Sequence, residues 1–215
     1  MKKLFYLFIL LFSLGMIGCA TDVVEESVNT IPGTTVLSVN IADSYSRVHL
    51  GDKGEDGQYS VAWSAGDRIS VNGYTSEEVV INPNNAGAAQ FEVRNAILDY
   101  PYNVLYPASA NGLVSFPAQQ NYLAGSFEAG TTPMYGRTTG GGKNIQLNHL
   151  SGVMRFNFKG EVTLVSMTVT AEKGYIAGDF SLDFENGAIA PTESATSTIE
   201  YSFGRSEERR VGKEC

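Results

Sequence analysis

The chain has 215 residues, a formal net charge of −8, only 18% charged residues and 23 glycines. An acidic chain with no basic run repels phosphate backbones, which argues against a nucleic-acid partner. The glycine content, with abundant Thr, Ser, Val, Tyr and Phe, suits a β-rich protein with many turns. The two cysteines, Cys19 and Cys215, lie near the ends, so the folded part is left to core packing without an internal disulfide.

Met1-Lys2-Lys3 is a positive start, and Leu4 to Leu14 is an apolar run of about 11 residues. That is shorter than the ~20 residues a helix needs to span a bilayer, and it fits the central region of a signal peptide over residues 1–18. The run ends in Met16-Ile17-Gly18-Cys19, which resembles the lipobox of bacterial lipoproteins. The resemblance implies diacylglycerol transfer to the Cys19 thiol, cleavage after Gly18 and acylation of the new amine. Several acyl chains, at about 0.8 kcal/mol per buried CH₂, hold a protein on a membrane without a transmembrane helix. Residues 19–33 read as an acidic tether carrying Asp22, Glu25 and Glu26 and ending at the turn dipeptide Pro32-Gly33. Early acidic residues resemble the signal that sends Bacteroidetes lipoproteins to the outer face of the outer membrane. The expected location is therefore the cell outer membrane, lipid-anchored and surface-exposed.

From there the hydrophobic period is two. Leu37, Val39 and Ile41 alternate with polar residues, Ile69 and Val71 flank Ser70, and Phe91 and Val93 flank Glu92. The same alternation marks Val114–Phe116, Met154–Phe158, Val165–Val169, Phe180–Phe184 and Ile199–Phe203. Between these runs stand turn clusters: 51–57, Asn82-Pro83-Asn84-Asn85, Ala110-Asn111-Gly112, 140–142 and Glu185-Asn186-Gly187. Short strands at this spacing predict an all-β protein of sandwich type. Glycines and polar residues near Thr138–Asn144 suggest a boundary between a first sandwich over 34–142 and the start of a second over 143–203. After Phe203 the pattern stops. Residues 204–215 carry dense mixed charge and resemble a translated adapter sequence, so they are expected to be a non-native tail on an incomplete second sandwich. Without the signal peptide and this tail, residues 19–203 carry a net charge of −11.

Catalytic and metal-binding patterns are weak. His49 and His149 are a hundred positions apart, without zinc-type spacing to cysteine or carboxylate. Gly141-Gly142-Lys143 lacks the flanking residues of a phosphate loop, since Arg137 and Asn144 stand where Gly and Ser or Thr are needed. The acidic stretch Asp52–Gly57 lacks the alternating ligands of a calcium loop and reads as a hairpin tip. No Gly-x-Ser-x-Gly elbow occurs. The expectation is a non-enzyme with no metal or cofactor. Trp63, Tyr100, Tyr102, Tyr106, Tyr122 and Tyr135 offer either a sugar-stacking platform or core filling.

The stretch Trp63-Ser-Ala-Gly-Asp67-Arg-Ile-Ser-Val71 resembles the fimbrillin-like lipoproteins of Bacteroidetes. In the same series come Val36–Ile41 with Arg47, Tyr106-Pro107-Ala108, Pro133-Met134-Tyr135-Gly136 and His149-Leu150, so the likeness spans about residues 34–185. Independently of any family, Gly66 suits a tight turn, Asp67 can cap it, and Ile69 and Val71 suit a sheet. The resemblance implies two successive transthyretin-like β-sandwiches and a structural or adhesive role in a fimbria. It also implies cleavage after Arg47, loss of a first strand carrying Val36, Leu37, Val39 and Ile41, and its replacement by a strand from another subunit. The expected partners are the outer membrane through the lipid, other fimbrial subunits, and host or glycan ligands. The alternative is a glycan-binding surface lipoprotein for polysaccharide capture.

Overall fold

The structure, a computed structural model, describes residues 33–41, 49–53, 59–123, 126–138, 140–159 and 164–204. The expected signal peptide, Cys19, the expected tether before Gly33, Arg47 and the expected tail after Gly204 lie outside the described residues.

All regular structure among the described residues is β. The described residues open with β1 (Gly33–Ile41), β2 (His49–Lys53) and β3 (Tyr59–Ala62). Next come β4 (Ser70–Val71), β5 (Tyr74–Thr75), β6 (Val80–Asn82) and the long β7 (Asn85–Ala96). The middle of the chain gives β8 (Tyr102–Tyr106), β9 (Val114–Phe116), β10 (Gln119–Asn121), β11 (Met134–Thr138) and β12 (Asn144–His149). It ends with β13 (Ser166–Thr170), β14 (Gly178–Leu182), β15 (Ile189–Pro191) and β16 (Thr198–Ser202).

An eight-stranded sheet runs β5-β4-β8-β11-β12-β1-β7-β6; two three-stranded sheets, β10-β16-β13 and β15-β14-β9, and the hairpin β2-β3 complete the sandwich-like arrangement. Turn chemistry closes the hairpins. Asn72 and Gly73, at φ +50° and +86°, join β4 to β5, the pair of left-handed residues that suits a two-residue hairpin loop. Between β6 and β7 the Asn82 side chain accepts the Asn84 N–H at 2.9 Å.

Two cores result. The first packs Leu37, Val39, Trp63, Ile69, Phe91 and Leu147, with their neighbours, on one face of the large sheet. The second gathers Leu105, Val114, Phe116, Ala177 and Phe180, with Phe116 edge-on to Phe180 at 5.3 Å. The two cores meet at β8, where Val104 and Tyr106 point into the first and Leu105 into the second, all within 2% of complete burial. Period-two alternation therefore buries this strand on both sides, and its apolar run Val104-Leu105-Tyr106 is the sequence trace of a wall shared by two layers.

Two expectations need correction. The division expected at 142/143 cuts through the large sheet. β12, assigned to the second sandwich, lies between β1 and β11 and sends Ile145 and Leu147 into the first core. Conversely β9 and β10, assigned to the first, pair with β14 and β16. Alternation states which face a strand buries but not which strand it pairs with. The second correction is Met154–Phe158, which the pattern marked as a strand. Residues 152–159 form no strand, and Met154, Phe156 and Phe158 are exposed.

At Gly136 the sheet depends on a missing side chain. A methyl group there would sit 2.7 Å from the Gln146 carbonyl oxygen and 2.9 Å from side-chain carbons of Ile145 and Leu147. Gly136→Ala is expected to destabilise the first core by about 1–3 kcal/mol, as overpacking does. Urea unfolding followed by Trp63 fluorescence measures it; an unchanged midpoint would contradict the close approach.

Candidate functional site

The site begins with β1, whose sequence Gly-Thr-Thr-Val-Leu-Ser-Val-Asn-Ile alternates so that Leu37 and Val39 are fully buried and Ile41 packs against the same core. Val36 faces the other way and is 43% exposed, so of the four apolar residues expected on this strand three plug the core and one does not. β1 pairs on both edges. Against β7 it is antiparallel, Leu37 opposite Phe91 and Val39 opposite Ala89, with an irregularity between Gly33 and Thr35. Against β12 it is parallel, Val39 opposite Ile145 and Ile41 opposite Leu147. The Ser38 N–H extends the second ladder to the Lys143 carbonyl at 2.8 Å. Removing this strand would open two ladders of unpaired backbone groups and the apolar floor between them.

Across the first core lies the Trp63–Val71 stretch. Gly66, at φ +89°, turns the chain; the Asp67 carboxylate accepts the Ser64 N–H at 2.7 Å, and Ile69 and Val71 enter the core fully buried. This is the turn, cap and strand entry read from the residues. The sequence did not disclose the other half of the arrangement. The Tyr106 hydroxyl donates to the second Asp67 oxygen at 2.9 Å, across 39 positions. Trp63 stands edge-on to both Phe91, at 4.9 Å, and Tyr106, at 5.3 Å, while its indole N–H donates to the Gly87 carbonyl at 3.2 Å. No spacing rule connects an Asp to a Tyr so far along the chain, and single-sequence periodicity marks Tyr106 only as apolar.

Burial raises the Asp67 carboxyl above its ordinary value, opposed by the Ser64 and Tyr106 hydrogen bonds, which favour the ionised form. Burial likewise pushes the Tyr106 hydroxyl well up, reinforced by the neighbouring Asp67 charge, so it stays a hydrogen-bond donor.

Of the six aromatic candidates for a stacking platform, Trp63, Tyr102 and Tyr106 are buried in the first core, Tyr122 and Tyr135 are half-buried, and Tyr100 is exposed and stacked on Tyr102 at 4.1 Å. His149 closes β12 opposite Met134, half-buried. His49 lies in β2 opposite Ala62. Among the described residues no group of three His, Cys, Asp or Glu side chains is placed to hold a metal ion. A cleft of about 190 Å³ opens beside Pro107, Ser109, Asn111, Leu113, Pro133 and Asp179. Its carboxylate is engaged: Asp179 accepts the Ser194 hydroxyl at 3.1 Å. The expected lipidation residue Cys19 and the expected cleavage residue Arg47 lie outside the described residues.

These features define an all-β chain of sandwich-like sheets with a two-edged first strand. The chain matches no family model, no curated protein and no solved structure.

Leu37→Ala is expected to cost about 2–5 kcal/mol through the cavity it leaves, whereas Val36→Ala should stay within ~0.5 kcal/mol. Chemical denaturation of the pair checks the strand's orientation; equal losses would contradict it. Tyr106→Phe leaves one Asp67 oxygen without its donor and is expected to cost about 1.5–3 kcal/mol at neutral pH. Because the folded-state value of Asp67 is raised, its contribution is fully present below the ordinary value of 3.8 and is lost as pH rises through the folded value. Tyr106→Phe removes an interaction that lowers that value, so the loss shifts to higher pH. Denaturation midpoints from pH 3 to 8 for the two proteins, each referenced to its own Asp67→Asn derivative, read the displacement.

Proposed function

We propose that this chain is a cell-surface lipoprotein, acylated at Cys19, that serves as a structural or adhesive fimbrial subunit without catalytic activity. In this reading cleavage after Arg47 releases β1, and a strand from another subunit takes its place. The observation that carries the proposal is the position of β1 between β7 and β12, with Leu37 and Val39 fully buried. The strand is first among those described, and only residues 42–48 link it to β2. One cut after Arg47 would therefore detach β1 together with everything before it, including the lipidated Cys19. A vacated slot nine residues long, about 30 Å at the usual rise, exposes two open sheet edges and an apolar floor. Such edges favour strand addition, with backbone bonds supplying affinity and the Leu37, Val39 and Ile41 pockets fixing register.

A second reading, capture of polysaccharide, is supported by the exposed Tyr100 ring, which rests on Tyr102 and could stack on a sugar.

The test uses the full chain, cleaved by an Arg-specific protease and freed of its N-terminal fragment. A synthetic peptide with the sequence of β1 should bind the cleaved chain saturably and raise its melting temperature, while a peptide carrying the Leu37→Asp and Val39→Asp changes should not. Equal behaviour of the two peptides, or a cleaved chain indifferent to both, would defeat strand exchange. Sugar-competed glycan binding by the uncut monomer, lost on Tyr100→Ala, would favour the second reading instead.

A further inference from the structure

The cleft of about 190 Å³ beside Pro107 is bounded by the loop after β8 and by β14. The loop is held by β4 and the residues before it. The Ala108 N–H donates to the Arg68 carbonyl at 3.0 Å, and the Ser109 N–H to the buried Ser70 hydroxyl oxygen at 3.2 Å. Within the loop Asn111 Oδ1 accepts two hydrogen bonds, from the Ser109 hydroxyl at 2.7 Å and the Leu113 N–H at 3.1 Å. Two donors on that oxygen fix the orientation of the amide, so its Nδ2 carries two N–H groups with no partner among the described residues. Asp179 is fixed as firmly. Its carbonyl accepts the Thr192 N–H at 3.0 Å and the Thr192 hydroxyl at 2.8 Å, and its own N–H donates to the Ser194 hydroxyl oxygen at 3.2 Å. The Ser194 hydroxyl occupies one carboxylate oxygen, Oδ2; the other, Oδ1, has no partner among the described residues. Ser115, opposite Asp179 in β9, adds an exposed hydroxyl. Pro107, Leu113 and the buried Pro133 supply apolar walls.

We propose that this cleft binds a single neutral sugar ring through Asp179 and Asn111. A sugar hydroxyl is donor and acceptor at once. One hydroxyl donates to Asp179 Oδ1, a neighbouring one accepts from Asn111 Nδ2, and the C–H face of the ring lies on Pro107, Leu113 and Pro133. Both polar groups are held by their own hydrogen bonds before a ligand arrives, which lowers the ordering cost of binding. Size narrows the ligand. The cleft is smaller than the about 300–1,000 Å³ of sites for drug-sized ligands, which suits one ring rather than a chain. Charge narrows it further. No Lys, Arg or His lines the cleft to neutralise an anion, and Asp179 repels one. A lone carboxylate with amide donors in the same cleft falls short of the about six oxygen ligands that a calcium or magnesium ion takes. The assignment depends neither on the exchange of β1 nor on the Tyr100 ring.

Titration calorimetry and amide chemical shifts on the full chain test this, with the methyl glycosides of glucose, galactose and mannose as probes. At least one should bind saturably in the millimolar range and shift the Asn111 side-chain amide and the backbone amides of Leu113, Ser115 and Asp179. The uronate of the best-bound sugar should bind at least about tenfold more weakly, since its carboxylate meets Asp179. An oligosaccharide ending in that sugar supports the site either way: equal affinity assigns a lone ring, tighter binding a chain end. Asp179→Asn keeps an oxygen for Ser194 and removes the free acceptor; Asn111→Asp keeps the oxygen for Ser109 and Leu113 and removes the donors. Each should weaken binding about five- to tenfold, the usual loss for one hydrogen bond, while Tyr100→Ala should leave it unchanged. The shift map on the unaltered chain gives a reading independent of how the variants fold. Three results would each overturn the site: no saturable binding by any of the glycosides, shifts confined to residues outside the cleft, or affinity lost on Tyr100→Ala but kept in both cleft variants.

Discussion

The large sheet depends on a nine-residue strand held by ladders on both edges. β7 supplies an antiparallel partner and β12 a parallel one, so β1 is the join that makes one sheet of β7–β6 and the strands from β12 to β5. Leu37 and Val39 plug the same core from that central position. A central strand has no solvent edge, and its backbone groups have no substitute partner if it leaves. The stability of the sheet therefore resides in this element: without β1, two ladders and the Leu37 and Val39 pockets would be left open.

Around this join the polar contributions are unequal. The ion pairs Arg68–Glu78 at 3.2 Å and Arg94–Glu92 at 2.8 Å stand on the solvent side with half-exposed side chains, where such pairs contribute little. The Asp67–Tyr106 hydrogen bond is buried, couples the Trp63 turn to β8, and leaves a costly unpartnered group if either side is removed. β8 carries that bond on the face toward the first core and Leu105 on the other, so a disturbance at Tyr106 reaches the wall shared by both cores. A further link runs between layers. Arg137 of β11 pairs with Glu185 at 3.3 Å, and Gly187, at φ +73°, lies directly against the Tyr135 ring. Sheet and hairpin turn meet there because Gly187 carries no side chain.

Much of the local structure was legible in the residues. The alternation of Leu37, Val39 and Ile41 gave β1 its buried face, Gly66 and Asp67 gave the turn before β4, and Asn82-Pro83-Asn84-Asn85 gave the β6–β7 turn. Partnership was not legible. Nothing in Asn144–His149 distinguishes a strand that inserts beside β1 from one that opens a new sandwich, since both need apolar residues at every second position. The same limit hid the transfer of β9 and β10 to the strands β14 and β16. Met154–Phe158 shows the converse: a strand pattern is a capacity to pair, and the structure leaves that capacity unused.

The sequence by itself determined that the chain is all-β, where it turns, and which residues of β1 face inward, because side-chain alternation and turn stereochemistry act over a few neighbouring residues. Only the tertiary structure decided that β1 is central, that β8 is walled on both faces, and that Asp67 finds its donor at Tyr106. Those outcomes depend on which distant segments share a ladder or a core, and the free energy of that choice is a property of the assembled layers that no short window of sequence contains.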